Sequence, residues 1–286
     1  MTTVGDRTRQ LVAPVTTPVP EAARRHLGQQ LASRLGSLVD PLPAGGPVVV
    51  TLPVLRQARQ RPESLADTEE PFAWRPIFVR RSLGLAVVEA CARGRFRTPL
   101  EAVGPVTDEA VGRWEETGWR TFHWEPWVAG LAPGARAMVL AEAVGWASSL
   151  WSSLHWSSIP ARSRFGGTDD QWVCPAVPPV RLKGRSELCV PVDVRGPSGR
   201  DGGTVALVSV AGGCPTDTWS EELAYLALVA SLRSPSLPVP ARVLGLWPDA
   251  GTDRSVEIDT GTLALAADRV VATTAAVVRS RLVVSL

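Results

Sequence analysis

Three charged residues alternate along one short stretch of the chain and are the strongest candidates for chemistry. Lys183, Arg185 and Glu187 lie two positions apart, and such residues point to one face of a β-strand. A carboxylate beside a lysine can hold a divalent cation if a second oxygen ligand, such as Asp193 or Glu221, joins it. A simpler alternative is that Glu187 pairs with Arg185 or with another nearby arginine.

The surrounding stretch predicts strands, a turn and a helix in a fixed order. Two apolar runs, VRLKGRSELCVPVDV and TVALVSV, are bounded by Gly, Pro, Ser and Asp, as is typical of strands. In the following TWSEELAYLALVASL, apolar residues recur at helical spacing, and Thr218 precedes Glu221 by the three residues of a capping box. ARVLGLW, residues 241–247, predicts another buried strand. We therefore expect two or three strands, a helix and a strand.

This order resembles the core of RecB-type nucleases of the PD-(D/E)XK superfamily, an α/β fold with a mixed sheet flanked by helices. Gly184-Arg185-Ser186-Glu187 looks like the family's Gly-Arg-x-Asp element, whose acid holds a divalent metal ion. Glu221 and Tyr225 look like its Gln-x-x-x-Tyr motif, with Glu in place of Gln. The resemblance covers most of the chain from Val48 onward.

Other residues that would carry the family's chemistry are missing. The strand expected to hold an acid and then a lysine reads VSVAGG over residues 208–213 and contains neither. Val88 takes the histidine position of a helix, residues 80–89, that resembles the family's Gly-x-x-x-His helix. Because a Mg²⁺ site of this class needs two oxygen ligands and a nearby cation, we expect the fold without its active site. No metal or other cofactor is expected, and Mg²⁺ enters only if the site has rearranged around Lys183 and Glu187.

The composition excludes several classes of function. The chain has 286 residues, 45% of them hydrophobic, which suffices for a sizeable core. A net charge of +2 with 20% charged residues gives no global basic excess that would indicate nucleic acid. Lys183 is the only lysine and is not followed by Ser or Thr, so no P-loop exists and helicase or ATPase activity in this chain is excluded.

Breaks rich in Pro and Gly divide the chain into three parts. Residues 1–20 are expected to form a flexible or extended arm. Residues 21–46 are expected to form an amphipathic helix and linker, and the helix packs on its own domain or docks on a partner. The nuclease-like domain spans residues 47–286, with N-terminal helices extending it. Within it, residues 114–172 hold eight of the eleven tryptophans. Core packing is favoured for these, with a partner interface and base stacking as alternatives.

One short basic stretch could contact nucleic acid. It reads RGRFR and contains Arg93, Arg95, Phe96 and Arg97. Arginines around an aromatic ring suit phosphate contacts combined with base stacking, and Arg185 is a further candidate contact. A solvated loop is the alternative interpretation.

Cysteine spacing and the terminal segments bear on location. Four widely spaced cysteines, Cys91, Cys174, Cys189 and Cys214, favour free, mostly buried thiols in a reducing compartment. The opening MTTVGDRTRQ lacks the apolar core of a signal peptide, and charges interrupt the apolar C-terminal stretch. We therefore expect a cytoplasmic protein without a membrane span.

The resemblance implies a pseudo-nuclease whose function depends on other molecules. The leading hypothesis is a catalytically inactive subunit that acts as scaffold or adaptor in bacterial DNA repair or antiviral (phage) defence, and that binds a helicase or nuclease subunit. One alternative is a DNA-binding module that uses RGRFR and exposed tryptophans. Another is an active Mg²⁺-dependent deoxyribonuclease with a rearranged site. Neither a membrane nor a small-molecule substrate is expected.

Overall fold

The computed structural model describes residues 3–43, 46–66, 73–118, 123–195, 203–234 and 236–284. Its helices are α1 Val4–Val12, α2 Glu21–Val39, α3 Leu52–Gln60, α4 Pro76–Ala92, α5 Pro99–Thr117, α6 Glu125–Ala129, α7 Pro133–Trp151, α8 Trp219–Leu232 and α9 Thr260–Val284. Its strands are β1 Val48–Val50, β2 Arg164–Cys174, β3 Val180–Asp193, β4 Gly203–Val210, β5 Pro240–Trp247 and β6 Thr252–Glu257. Residues 196–202, which lie between the first two predicted strands, and residues 44–45 of the expected linker lie outside the described residues.

The described strands form one mixed sheet of six. β2, β3 and β4 are consecutive antiparallel neighbours, and β5 lies parallel to β4 after the crossover through α8. β6 is antiparallel to β5. The prediction of strands, helix and strand in this order is confirmed, as is an α/β fold whose mixed sheet is flanked by helices.

Two strands share one edge of β3 and leave a gap between them. The first residues of β3 pair with both β1 and β2, while Leu188 and Cys189 pair with both β2 and β4. Because a strand has only two edges, β1 and β4 must lie on the same edge of β3. β1 runs parallel to β3 and β4 antiparallel, so their carboxyl ends point towards each other across residues 183–187.

Helices cover both faces of the sheet. Successive residues of β4 belong to two cores: Leu207 packs with residues of α2, α8 and α9, whereas Ala206 and Val208 pack with residues of α4, α5 and α7. A sheet buried on both faces requires apolar side chains at nearly every position of its central strands. β5 meets this requirement, since all eight of its residues are buried.

The expectation of a flexible arm at residues 1–20 is wrong for the part that the structure describes. Thr3 and Asp6 form a capping box that starts α1, and Leu11 on this helix is 1% exposed. Arg242, on β5, donates hydrogen bonds to the carbonyl oxygens of Gln10 and Ala13. A parallel bridge joins Val15 to the end of β3. The arm is therefore fixed because its one apolar stripe is buried and its last carbonyls are satisfied by a core arginine.

The amphipathic helix predicted after the arm is α2, and it packs on its own domain. Leu31 and Leu35 are buried in the core shared with α8 and α9, and Arg34 lies 2.6 Å from Asp268 of α9. Within the described residues, one stretch, Thr260–Val283, is long and apolar enough to cross a membrane by length and composition. About half of this apolar segment is buried inside the protein, as in the core helix of a globular domain.

Candidate functional site

A cleft of about 690 Å³ opens where β1, β4 and β5 end beside β3. The gap between β1 and β4 leaves this part of β3 without a neighbour on one edge, so its side chains and backbone line the cleft. Ligands of open α/β sheets commonly bind outside the carboxyl ends of strands, where neighbouring connections diverge. The charged residues that line the cleft are Arg56, Arg81, Asp170, Lys183, Arg185 and Glu222.

Glu187 lies beside the cleft, in contact with two of its lining residues, and is held by an arginine. Its side chain is 4% exposed, and Arg81 of α4 donates to its Oε1 at 2.6 Å. Its Oε2 accepts a hydrogen bond of 2.8 Å from the backbone N–H of Val210. Arg185 is more distant, with Nε 3.9 Å from Glu187 Oε1. Of the two interpretations of Glu187, pairing with an arginine is therefore the one seen, and its main partner is Arg81.

A second carboxylate in the cleft, Glu222, was not among the residues that the sequence singled out. Arg56 of α3 binds it through two hydrogen bonds of 2.7 and 2.5 Å, and the hydroxyls of Thr216 and Thr218 donate at 2.8 and 3.0 Å. Burial acts to raise the pKa of Glu222, but these donors more than offset it and lower the pKa below its usual value. The same pairing raises the pKa of Arg56.

The predicted capping box at the start of α8 is wrong. Thr218 is the N-cap residue, but its side chain caps no backbone N–H and instead donates to Glu222. Glu221 lies outside the cleft on the neighbouring side of α8, where it pairs with Arg59 at 2.6 Å and Arg269 at 2.9 Å. The buried carboxylate draws the hydroxyl away from the helix terminus because a charged acceptor forms the stronger hydrogen bond.

Neither of the proposed second metal ligands reaches the cleft. Asp193 is exposed at the far end of β3 and lies 3.3 Å from Arg162. Asp170, which does line the cleft, is buried and forms an ion pair with Arg233, the residue that follows α8. Among the described residues, no group of three His, Cys, Asp or Glu side chains converges as a metal site would require. The structure thus does not assemble Lys183, Glu187 and a second acid around one point.

Tyr225 forms hydrogen bonds to backbone carbonyl groups at the other end of the gap between β1 and β4. It is fully buried, and its hydroxyl lies 2.7 Å from the carbonyl oxygen of Val50 and 3.0 Å from that of Lys183. Burial raises the pKa of Tyr225 well above its ordinary value, so the phenol stays protonated. Val88, at the expected histidine position, is 1% exposed in the core around α4 and does not face the cleft.

The basic stretch RGRFR lies away from the cleft. Arg93 and Arg95 line a separate hollow between α4 and α5, where they pair with Glu89 and Glu109. The guanidinium of Arg95 also stacks on Phe96, 5.7 Å from the ring centroid. The structure therefore does not bring these residues together with Arg185.

Most of the described tryptophans of the Trp-rich part serve the core. Trp124, Trp146 and Trp156 are at most 7% exposed, and Trp156 stacks on Trp151 with 5.7 Å between ring centroids. Core packing is confirmed for these residues, while Trp119 lies outside the described residues. Burial leaves their ring faces unavailable for base stacking.

The four thiols are free, as predicted. Cys91, Cys174 and Cys189 are buried and Cys214 is exposed. Burial raises the pKa of Cys91 to about 11, and it also raises the pKa of Cys174 and Cys189. Protonated buried thiols of this kind are poor nucleophiles and poor metal ligands.

No family model, curated protein or solved structure matches this chain.

Proposed function

We propose that this chain is a nuclease-like subunit that has lost metal-dependent cleavage and acts as a scaffold or adaptor in a DNA-processing complex. The observation that carries the proposal is that two acids in or beside the cleft are paired with arginines. Glu187 and Glu222 are each neutralised by an arginine of the same chain, Arg81 and Arg56 respectively. A magnesium ion would have to displace these guanidinium groups, because it needs anionic oxygens with unoccupied lone pairs.

The strand order supports the nuclease-like part of the proposal. β2, β3 and β4, the crossover helix α8 and the parallel strand β5 follow the order of the core that the sequence resembles. Glu187 stands on β3 beside the end of β4, where that core would hold its metal. The residues of β4 at this point are Val208, Ser209 and Val210, which offer neither an acid nor a lysine.

The two alternatives find less support. A DNA-binding module built on RGRFR would have to use arginines that already pair with Glu89 and Glu109. An active nuclease with a rearranged site would need Asp193 or Glu221 as second ligand, and both lie outside the cleft. Repair or defence as the pathway is the part of the proposal that rests on the resemblance, whereas the cytoplasm as the compartment rests on the widely spaced cysteines and the opening sequence.

The experiment that tests the proposal has two arms. In the first, the purified protein is incubated with single-stranded and duplex DNA in Mg²⁺ and in Mn²⁺, and we expect no cleavage above that of the Glu187→Ala variant. In the second, the tagged protein is purified from its own host with and without nuclease treatment, and we expect a stoichiometric protein partner to survive the treatment. Metal-dependent cleavage that Glu187→Ala abolishes would refute the first part. Recovery of the chain alone would refute the adaptor role.

A further inference from the structure

The charges of the cleft do not cancel. Each acid in or beside the cleft forms an ion pair with an arginine of the same chain: Arg81 binds Glu187, Arg56 binds Glu222 and Arg233 binds Asp170. Two cationic side chains on β3 remain at the opening, and both are exposed, Arg185 by 54% of its side chain.

Neither of these two cations is neutralised by a side chain that the structure describes. Lys183 has no ion-pair partner in the described part of the chain, and the described acid that comes within 4 Å of Arg185 is Glu187, 3.9 Å away and already bound by Arg81 at 2.6 Å. Two surplus positive charges at the mouth of a concave site attract an anion, and the low-dielectric walls of a cleft strengthen that attraction. The cleft that would hold a cation in an active nuclease is thus suited to the opposite charge.

The shape and lining of the cleft narrow the choice of anion. Its volume of about 690 Å³ matches a ligand of nucleotide size rather than a bare inorganic ion. Gly184 and Gly245 line it together with the apolar Leu223, Leu226 and Trp247. Arg56 and Arg81 are half exposed, so N–H groups of their guanidiniums that face the cleft add hydrogen-bond donors to its lining. Such donors match phosphate oxygens. A ligand with a phosphate group and a flat or apolar remainder suits this combination.

We propose that the cleft binds a phosphate ester without a metal ion, with Lys183 and Arg185 as its principal contacts. This inference rests on the proposed function in one respect, namely that the cleft acids are not available to a divalent cation. A strand of nucleic acid and a free nucleotide present the same phosphate chemistry, and the experiment distinguishes these two sources. In either case the cleft is a recognition site, and no bond in the ligand is broken.

The test measures binding in EDTA. Fluorescence anisotropy of a labelled single-stranded oligonucleotide and of a labelled duplex reports the nucleic-acid source, and calorimetry with a nucleoside monophosphate reports the free nucleotide. We expect at least one probe to bind in EDTA, and Lys183→Ala and Arg185→Ala each to weaken that binding about tenfold. For an oligonucleotide, the double variant should also lower the slope of log K against log salt by about 2.

Two controls keep the result specific. Arg279→Ala removes an exposed arginine of α9 outside the cleft lining, and Arg97→Ala removes the arginine of RGRFR for which the described residues offer no ion-pair partner. Neither change should alter binding more than twofold. Thermal melts of all variants confirm folding, which is expected because each replaced side chain is exposed.

Several outcomes would overturn the inference. Failure of every phosphate probe to bind in EDTA would do so, as would binding that requires Mg²⁺ or binding that persists in the Lys183→Ala/Arg185→Ala variant. A loss of binding in Arg97→Ala alone would locate the contact at RGRFR instead. None of these results bears on whether a protein partner is captured, so failure here and failure of the adaptor role remain distinguishable.

Discussion

Replacing Arg56 with methionine removes the guanidinium that neutralises the buried Glu222 carboxylate and keeps a side chain of similar length. Breaking one partner of a buried ion pair costs about 3–5 kcal/mol, because the other charge stays buried. Here Arg56 is 37% exposed, which weakens the pair through solvent screening, and the hydroxyls of Thr216 and Thr218 remain as donors. We therefore expect Arg56→Met to lower the free energy of unfolding by about 2 kcal/mol at neutral pH.

The loss of stability in Arg56→Met should depend on pH in a defined direction. In the wild-type protein the folded-state pKa of Glu222 lies below its ordinary value of 4.5, so its contribution is present above that pH and is lost as the pH falls through the folded pKa. Without Arg56, burial favours the protonated form of Glu222. The variant therefore loses stability at neutral pH, where Glu222 is charged, and regains it as Glu222 becomes protonated. The difference between variant and wild type should therefore shrink as the pH falls from about 7 to about 4.5.

Urea unfolding followed by tryptophan fluorescence at both pH values measures this difference. Arg59→Met is the matched control on the same helix, because Arg59 pairs with Glu221 at the surface and should contribute less than about 0.5 kcal/mol. Glu222→Gln introduced together with Arg56→Met should recover most of the lost stability, since it removes the unpaired charge. Equal losses in Arg56→Met and Arg59→Met, or a loss that does not change with pH, would refute the reasoning.

Three further predictions, which use four substitutions, test the packing of the fold. Gly84→Ala should destabilise the protein by about 2 kcal/mol despite the better helix propensity of alanine, because the added Cβ would lie 2.4 Å from the ring of the buried Trp146. Gly112→Ala should raise the melting temperature instead, because no described atom lies within 4 Å of its added Cβ. The opposite ranking of the two melting temperatures would contradict this account of helix packing. Tyr225→Phe should lower the free energy of unfolding in urea by about 1–2 kcal/mol through the loss of its bonds to two strand carbonyls, and an unchanged midpoint would disprove that role. Leu11→Ala should cost about 3 kcal/mol and expose α1 to limited proteolysis, whereas wild-type resistance would mean that α1 is not held by the core.

Local patterns in the sequence were sufficient to predict the central elements. Continuous apolar runs predicted β4 and β5 because strands buried on both faces leave little room for polar residues. The helical spacing of leucines predicted α2, and its burial against α9 follows from the same stripe. The arm was mistaken for a flexible segment because Thr, Val and Pro dominate it, while the burial of Leu11 depends on a surface formed by distant residues.

The residues that determine the cleft's charge could not be read from the sequence. Arg81 lies 106 positions from Glu187, and Arg56 lies 166 positions from Glu222, so no local spacing connects them. Nor could the helix pattern choose between Glu221 and Glu222, because spacings of three and four residues both bring a side chain to the helix face of Tyr225. Only the packing of α3 and α4 against this edge of the sheet decides which acid is buried and which arginine meets it.

Glu187 and Tyr225, two of the residues on which the resemblance rests, have a shared structural role at the gap in the sheet. β1 ends its pairing with β3 at Val50, and the pairing of β4 ends at Val208, so backbone groups on both sides of the gap lose their neighbours. The Tyr225 hydroxyl bonds the Val50 carbonyl on one side, and the Glu187 carboxylate bonds the Val210 N–H on the other. Buried backbone groups without such partners would cost about 1–3 kcal/mol each. Glu187 and Tyr225 therefore bond backbone groups on both sides of the gap, so we expect the cleft to keep its shape whether or not the proposed phosphate ester is bound.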